Sequence, residues 1–133
     1  RQNTGFSGRW QVLGQKPLMI CDTAHNVDGL KYVREQIKQN SLKKLHMVIG
    51  MVNDKDVSKM LSVLPTDAEY YFCKANIPRA MPANELQEKA SAFGLKGRNY
   101  DSVRSALNSA KNNAQPDDLI FIGGSTFVVA EII

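Results

Sequence analysis

Leu18-Met19-Ile20-Cys21-Asp22-Thr23-Ala24-His25-Asn26 decides how this chain is read. Leu18 to Cys21 is a short apolar run, the pattern of a buried strand, and from Val27 onward apolar residues recur at helical spacing. Between the two stand a carboxylate, an imidazole and a carboxamide. In open α/β sheets ligands gather outside the carboxyl ends of the strands, which makes Asp22, His25 and Asn26 candidate site residues. Each also has a plainer use. Asn26 or Asp22 can cap the following helix by accepting from an orphan amide, and a single histidine is commonly structural.

Upstream, Trp10-Gln11-Val12-Leu13 alternates before the turn cluster Gly14-Gln15-Lys16-Pro17. A hairpin follows from this, with the first strand antiparallel at the edge of the sheet and Trp10 over one face. Downstream, Val27, Leu30, Val33 and Ile37 mark a covering helix that Asn40-Ser41 is expected to end. Leu45 to Gly50 is the next strand, in which His46 is a polar strand residue. Gly50 to Asp56 leads into a helix with Val57, Met60, Leu61 and Leu64 inward; Asp54 is expected to cap it, and Lys55 in its first turn opposes the helix dipole. A cation kept there points to an anionic ligand or is simply a surface lysine.

Ala68 to Cys73 forms a third strand, and the loop Lys74 to Met81 carries Arg79, a candidate contact for carboxylate or phosphate. A helix runs from near Pro82 to Gly94, Leu95 to Tyr100 is a short strand or a loop, and Asp101 or Ser102 caps a helix with Val103, Leu107, Ala110 and Ala114 inward. Pro116-Asp117-Asp118 breaks that helix before the apolar strand Leu119 to Ile122. Gly123-Gly124-Ser125-Thr126 makes a tight turn that exposes amides to an anion or merely lets strand and helix pack closely. Phe127 to Ile133 reads as a helix that meets the chain end before any cap. Strands alternate with helices throughout, so the expected fold is a three-layer, Rossmann-like α/β domain whose sheet is mostly parallel with an antiparallel N-terminal edge strand.

Asp22, His25, Asn26, Asp54, Lys55, Arg79, Gly124 and Ser125 each follow the carboxyl end of a strand and should share one polar rim. The chain carries no Gly-x-x-x-x-Gly-Lys phosphate loop, no Gly-x-Gly-x-x-Gly, no Cys/His metal spacing and no nucleophile elbow, so it is not expected to hold ATP unaided. Its 133 residues, 43% hydrophobic, suffice for one domain. Seventeen Lys+Arg against 13 Asp+Glu give a net charge of +4, but the basic residues are scattered and no aromatic-interleaved stripe invites nucleic acid. No apolar run approaches the roughly 20 residues that span a bilayer, so the domain should be soluble. Cys21 and Cys73 read as small hydrophobes within strands, which suits a reducing cytoplasm. Arg1 is not an initiator, and both ends look cut from a longer chain.

Asp22-Thr23-Ala24-His25-Asn26 resembles the Asp-Gly-Ala-His-Asn motif that opens the C-terminal domain of the dihydrofolate synthase/folylpolyglutamate synthase family, a branch of the Mur-type ATP-dependent amide ligases; Thr23 replaces the usual Gly. Gly50 to Asp56 resembles the family's Gly-x-x-x-Asp-Lys-Asp, Pro78-Arg79-Ala80 its Pro-Arg-Ala, and Gly124-Ser125 its Gly-Ser. Gly8-Arg9 resembles the interdomain Gly-Arg pair, with Ser7 where Pro is usual. The resemblance implies that residues 1–9 are the remnant of an interdomain linker and 10–133 the C-terminal domain. That domain would close over ATP and Mg2+ held mainly by a preceding ATPase domain, with Thr4 to Arg9 as hinge.

The implied chemistry is attack of a pterin or folate carboxylate on the γ-phosphate, then displacement of phosphate from the acyl phosphate by the amine of L-glutamate. Asp22 and His25 would be catalytic, and with Arg9 and Asn26 would contact ATP. Asp22 would accept from ribose hydroxyls or orient a donor, His25 would donate to a phosphoryl group, and Asp54, Lys55, Arg79 and Ser125 would be substrate contacts. No metal ligand falls in this chain, and by itself it would be folded but inactive. The alternatives are a peptidoglycan-precursor ligase of the same fold and a non-catalytic nucleotide-binding module.

Overall fold

The computed structural model describes residues 8–40 and 43–133. Its elements are β1 (Gln11–Gln15), β2 (Leu18–Asp22), α1 (Val27–Lys38), β3 (Leu45–Ile49), α2 (Val57–Ser62), β4 (Glu69–Phe72), α3 (Ala83–Ser91), β5 (Gly97–Asn99), α4 (Val103–Asn113), β6 (Leu119–Gly123) and α5 (Thr126–Ala130). One six-stranded sheet has the order β1-β2-β6-β3-β4-β5. Only β1 runs antiparallel to its neighbour, in the hairpin that the alternating Trp10 to Leu13 pattern predicts, and a register shift between Val12 and Gly14 puts a bulge at Leu13.

The sheet is covered on both faces because its central strands, β3 and β6, are buried at every position and apolar at all but His46. Leu45, Met47 and Ile49 of β3, with Leu119 and Phe121 of β6, pack with α1, α2 and α3. The alternate residues Val48, Ile120 and Ile122 pack with α4 and α5 on the other side. A pleated strand sends successive side chains to opposite faces, so apolar residues at consecutive positions demand two helical layers. β6 lies between β2 and β3 and aligns its Gly123 with both Asp22 and Ile49. Three carboxyl ends are thereby brought level where the direction of winding reverses, the place in such sheets where ligands bind.

Several boundaries differ from the sequence expectation. Helix α1 ends at Lys38 with Gln39 as its cap, ahead of Asn40; Ser41 lies outside the described residues. Asp54 does not cap α2: the helix starts at Val57, and the Asp54 carboxylate accepts from the Asp56 amide at 2.8 Å in a turn that precedes it. Lys55 belongs to that turn and not to a helical first turn. Ser102, rather than Asp101, caps α4 by accepting from the Ser105 amide at 3.0 Å. The C-terminal helix does not run uncapped to the chain end either, because α5 closes at Ala130 and the Glu131 amide donates back to Val128 and Val129 carbonyls.

His46 is a strand residue, as expected, but a wholly buried one. Its Nε2 donates to the Asp118 carboxylate at 2.8 Å, and its Nδ1 meets the Tyr71 hydroxyl at 2.8 Å. Asn113 donates to the same hydroxyl at 3.3 Å, and the Gln115 amide donates to Asp118 at 2.9 Å. This chain of bonds joins β3, β4, α4 and the approach to β6 at the amino ends of the strands. Among the described residues no helix is long and apolar enough to cross a membrane.

Candidate functional site

The loops that leave β3 and β4 are sewn to each other. The Asn53 amide donates to the Arg79 carbonyl at 2.7 Å, the Met81 amide to the Met51 carbonyl at 2.9 Å, and Val52 forms an antiparallel bridge with Ala80. The Asn76 amide donates to the Glu131 carboxylate at 2.6 Å, which fixes the Arg79 loop to the end of α5. Arg79 is thus set by backbone bonds and not by its own side chain, whereas the Asp54 carboxylate is also held by the Asp56 amide.

Beside them, Gly50 and Gly124 let β3 and β6 end in contact. A Cβ on Gly124 would lie 2.5 Å from the Gly50 carbonyl oxygen, and one on Gly50 would lie 2.8 Å from Val128. Gly124 also sits at φ 95°, in the left-handed region that favours glycine. The tight turn ends at Ser125, whose buried Oγ accepts from the Phe127 amide at 3.1 Å. Close packing is the use this Gly-Gly-Ser turn is put to. With α5 only five residues long, its dipole adds little for an anion.

A cleft of about 350 Å³ opens here, lined by His25, Asp54, Arg79 and Ser125 together with Val52, Met60, Gly124, Thr126 and Phe127. Five of the residues singled out in the sequence, His25, Asp54, Arg79, Gly124 and Ser125, meet in one cavity of a size suited to a small molecule. The others do not line it. Lys55 is exposed in the turn before α2. Asn26 is the N-cap of α1, its Oδ1 accepting from the Gly29 amide at 2.8 Å, so the plainer reading of that residue holds. Asp22 and Arg9 lie beside the cleft, at the end of β2, and are paired with each other.

Asp22 is wholly buried. Its Oδ1 accepts from the Ala24 amide at 2.8 Å and lies 3.0 Å from Arg9 Nε, and its Oδ2 accepts from the Trp10 amide at 2.9 Å. A carboxylate so enclosed orients a donor; it is not open to ribose hydroxyls in this conformation. His25 is exposed, and its Nδ1 donates to the Thr23 carbonyl at 3.3 Å, leaving Nε2 as the ring atom available to a ligand. Among the described residues the Arg79 guanidinium has no ion-pair or hydrogen-bond partner, and it is exposed at the rim. Gly8 and Arg9 are bonded to the end of β2, while the rest of the expected hinge, Thr4 to Ser7, lies outside the described residues.

Val52, Met60 and Phe127 form an apolar wall that the sequence did not single out. Phe127 is 42% exposed. Its position just past the glycine turn was a signal for it, masked because Phe127 reads equally well as helix core. The cleft therefore offers two basic groups, one carboxylate, two hydroxyls and an apolar side, which suits a small molecule with carboxylates, an amine and a methylene chain. Anionic phosphoryl oxygens also fit His25 and the two arginines. A metal ion has no comparable place: among the described residues no three His, Cys, Asp or Glu side chains are grouped to hold one.

The family model for the Mur ligase glutamate ligase domain matches residues 8–126. A probable bifunctional folylpolyglutamate synthase/dihydropteroate synthase of Haloferax volcanii is 34% identical over 131 residues, covering 98% of this chain and 16% of the relative. E. coli FolC, solved in complex with DHPP and ADP, superposes with a TM-score of 0.87 at 29% identity over 96% of this chain and 30% of the other. A bifunctional folylpolyglutamate synthase/dihydrofolate synthase solved with Mn, AMPPNP and L-glutamate bound gives 0.86 at 30% identity, over 96% and 31%. The chain thus spans between about a sixth and a third of the length of these proteins.

Proposed function

The chain belongs to the Mur ligase family as a glutamate ligase domain, and from that premise we propose that it serves an ATP-dependent ligase joining L-glutamate to dihydropteroate or a folate. One observation carries the reading: His25, Asp54, Arg79 and Ser125 come from four separate strand ends and line a single cleft. Residues 1–9 are then linker and 10–133 the domain, working against an N-terminal ATPase domain that holds most of the ATP and Mg2+. The two buried free thiols suit a cytoplasmic enzyme.

ATP supplies the γ-phosphoryl group that converts the pterin carboxylate to an acyl phosphate with release of ADP; the glutamate amine then displaces phosphate and sheds a proton. Arg79 takes a carboxylate of glutamate in its planar fork, Asp54 accepts from the ammonium, and the methylenes lie against Val52, Met60 and Phe127. Ser125 donates its hydroxyl proton to the same substrate. His25 donates a ring N–H to a phosphoryl oxygen, and Arg9, aimed by Asp22, offsets charge that grows during transfer. Asn26 retains its amide nitrogen for the nucleotide while its oxygen caps α1. Lys55 adds a rim cation that draws anions inward.

The test is phosphate release by the full-length protein with ATP, Mg2+ and L-glutamate, offering dihydropteroate, a reduced folate or a UDP-muramoyl acceptor. Turnover with a pterin is expected, and the 133-residue chain alone should give none. Turnover with the muramoyl acceptor only would retain the fold and overturn the substrate, and no turnover with any acceptor would favour a non-catalytic nucleotide-binding module.

A further inference from the structure

We infer that Thr23 is a positioning residue, whose hydroxyl latches the segment Gly8 to Trp10, and Arg9 with it, onto the carboxyl end of β2. The Thr23 amide and hydroxyl both donate to the Gly8 carbonyl, at 2.7 and 2.8 Å. The adjacent Asp22 engages the next two residues, Arg9 through Nε and Trp10 through its amide. Two consecutive residues of the strand end thereby grip three consecutive residues of the entering chain.

Burial explains one half of this arrangement and not the other. The Asp22 carboxylate is wholly buried and must find donors wherever it can. Thr23 is only partly buried, so water can serve its hydroxyl, and the Gly8 carbonyl is already satisfied by the Thr23 amide. The second bond is therefore not needed for desolvation and acts as a constraint. What it constrains is unusual backbone: Gly8 at φ 82° and Trp10 at φ 43°, a left-handed conformation rare for a bulky side chain. Such geometry persists only where the surroundings over-determine it, and the Trp10 ring, 6.4 Å from Phe121, adds to that hold. Gly8 to Trp10 must then move as part of the sheet, and Arg9 is oriented before a ligand arrives.

The latch itself is tested by amide exchange on the 133-residue chain. In Thr23→Val, which keeps the branched shape, the Trp10 and Thr23 amides should exchange about fivefold faster, the loss of one ordinary hydrogen bond, while β3 and β6 amides keep their rates. Thr23→Ser should restore the original rates. Unchanged rates at Trp10, or a uniform acceleration across the sheet, would overturn the latch. The consequence for catalysis rests on the ligase reading and is measured separately in the full-length protein with ATP, Mg2+, L-glutamate and dihydropteroate. Thr23→Val should lower kcat about fivefold with KM for L-glutamate unchanged, and Thr23→Ser should recover it. An unchanged kcat overturns the positioning role. If the unaltered protein turns over no acceptor, the ligase reading has failed and the exchange rates alone decide the latch.

Discussion

Arg79 presents to the cleft a guanidinium with no partner among the described residues, and its removal is the most direct probe of ligand binding. If the proposed ligase function holds, Arg79→Ala should raise KM for L-glutamate at least tenfold in steady-state assays of the full-length protein, with little change in folding because only its carbonyl carries structure. Gly124 behaves in the opposite sense. Gly124→Ala forces a Cβ into the Gly50 carbonyl at a φ of 95°, and about 3 kcal/mol of stability should be lost in urea unfolding. Burial pushes the Cys21 thiol up to about 11, with Asp22 adding to it, and the Cys73 thiol up to about 12, with Glu131 adding to it. Neither should react with a disulfide reagent at pH 8 until the chain is unfolded, when both should. His25, Arg79 and Ser125 were legible in the sequence because each follows an apolar strand. The burial of Asp22 was not, because it depends on Arg9 and Trp10 across the hairpin, and no local pattern records that pairing.

At the level of elements, helices and strands follow apolar periodicity closely, and the boundary before α2 is misplaced for a local reason. Asp54 looks like a cap, but its side chain bonds its own turn as readily as a helix amide, and sequence does not say which. The His46 network was illegible for another reason, since His46 and Asp118 stand 72 residues apart. That network has a pH signature. Burial alone would raise Asp118 above its ordinary value of 3.8, but the Gln115 amide and His46 together hold it below. A depressed carboxylate contributes its full stabilisation above the ordinary value and loses it as pH falls toward the folded one. Thermal unfolding from pH 6 down to pH 2 should therefore decline less steeply in Asp118→Asn than in the unaltered chain. At pH 7 the same variant should be less stable by roughly 2–3 kcal/mol, the cost of weakening the hydrogen bonds that His46 and the Gln115 amide make to a buried carboxylate.

For the whole molecule, the order β1-β2-β6-β3-β4-β5 makes β6 the keystone between β2 and β3. A chain ending at Asp117 should lack a cooperative unfolding transition by circular dichroism, because the two halves of the sheet then have no common strand. Alternation of strand and helix announced the three layers, whereas strand order left no mark on the sequence. During synthesis this order has a cost. β2 and β3 are translated before β6 and cannot be joined until β6 has cleared the exit tunnel. At about 5–20 residues per second, their apolar edges wait several seconds for a partner still being translated. That nascent interval, more than any weakness of the finished sheet, is when the unpaired strand edges stand open to wrong partners.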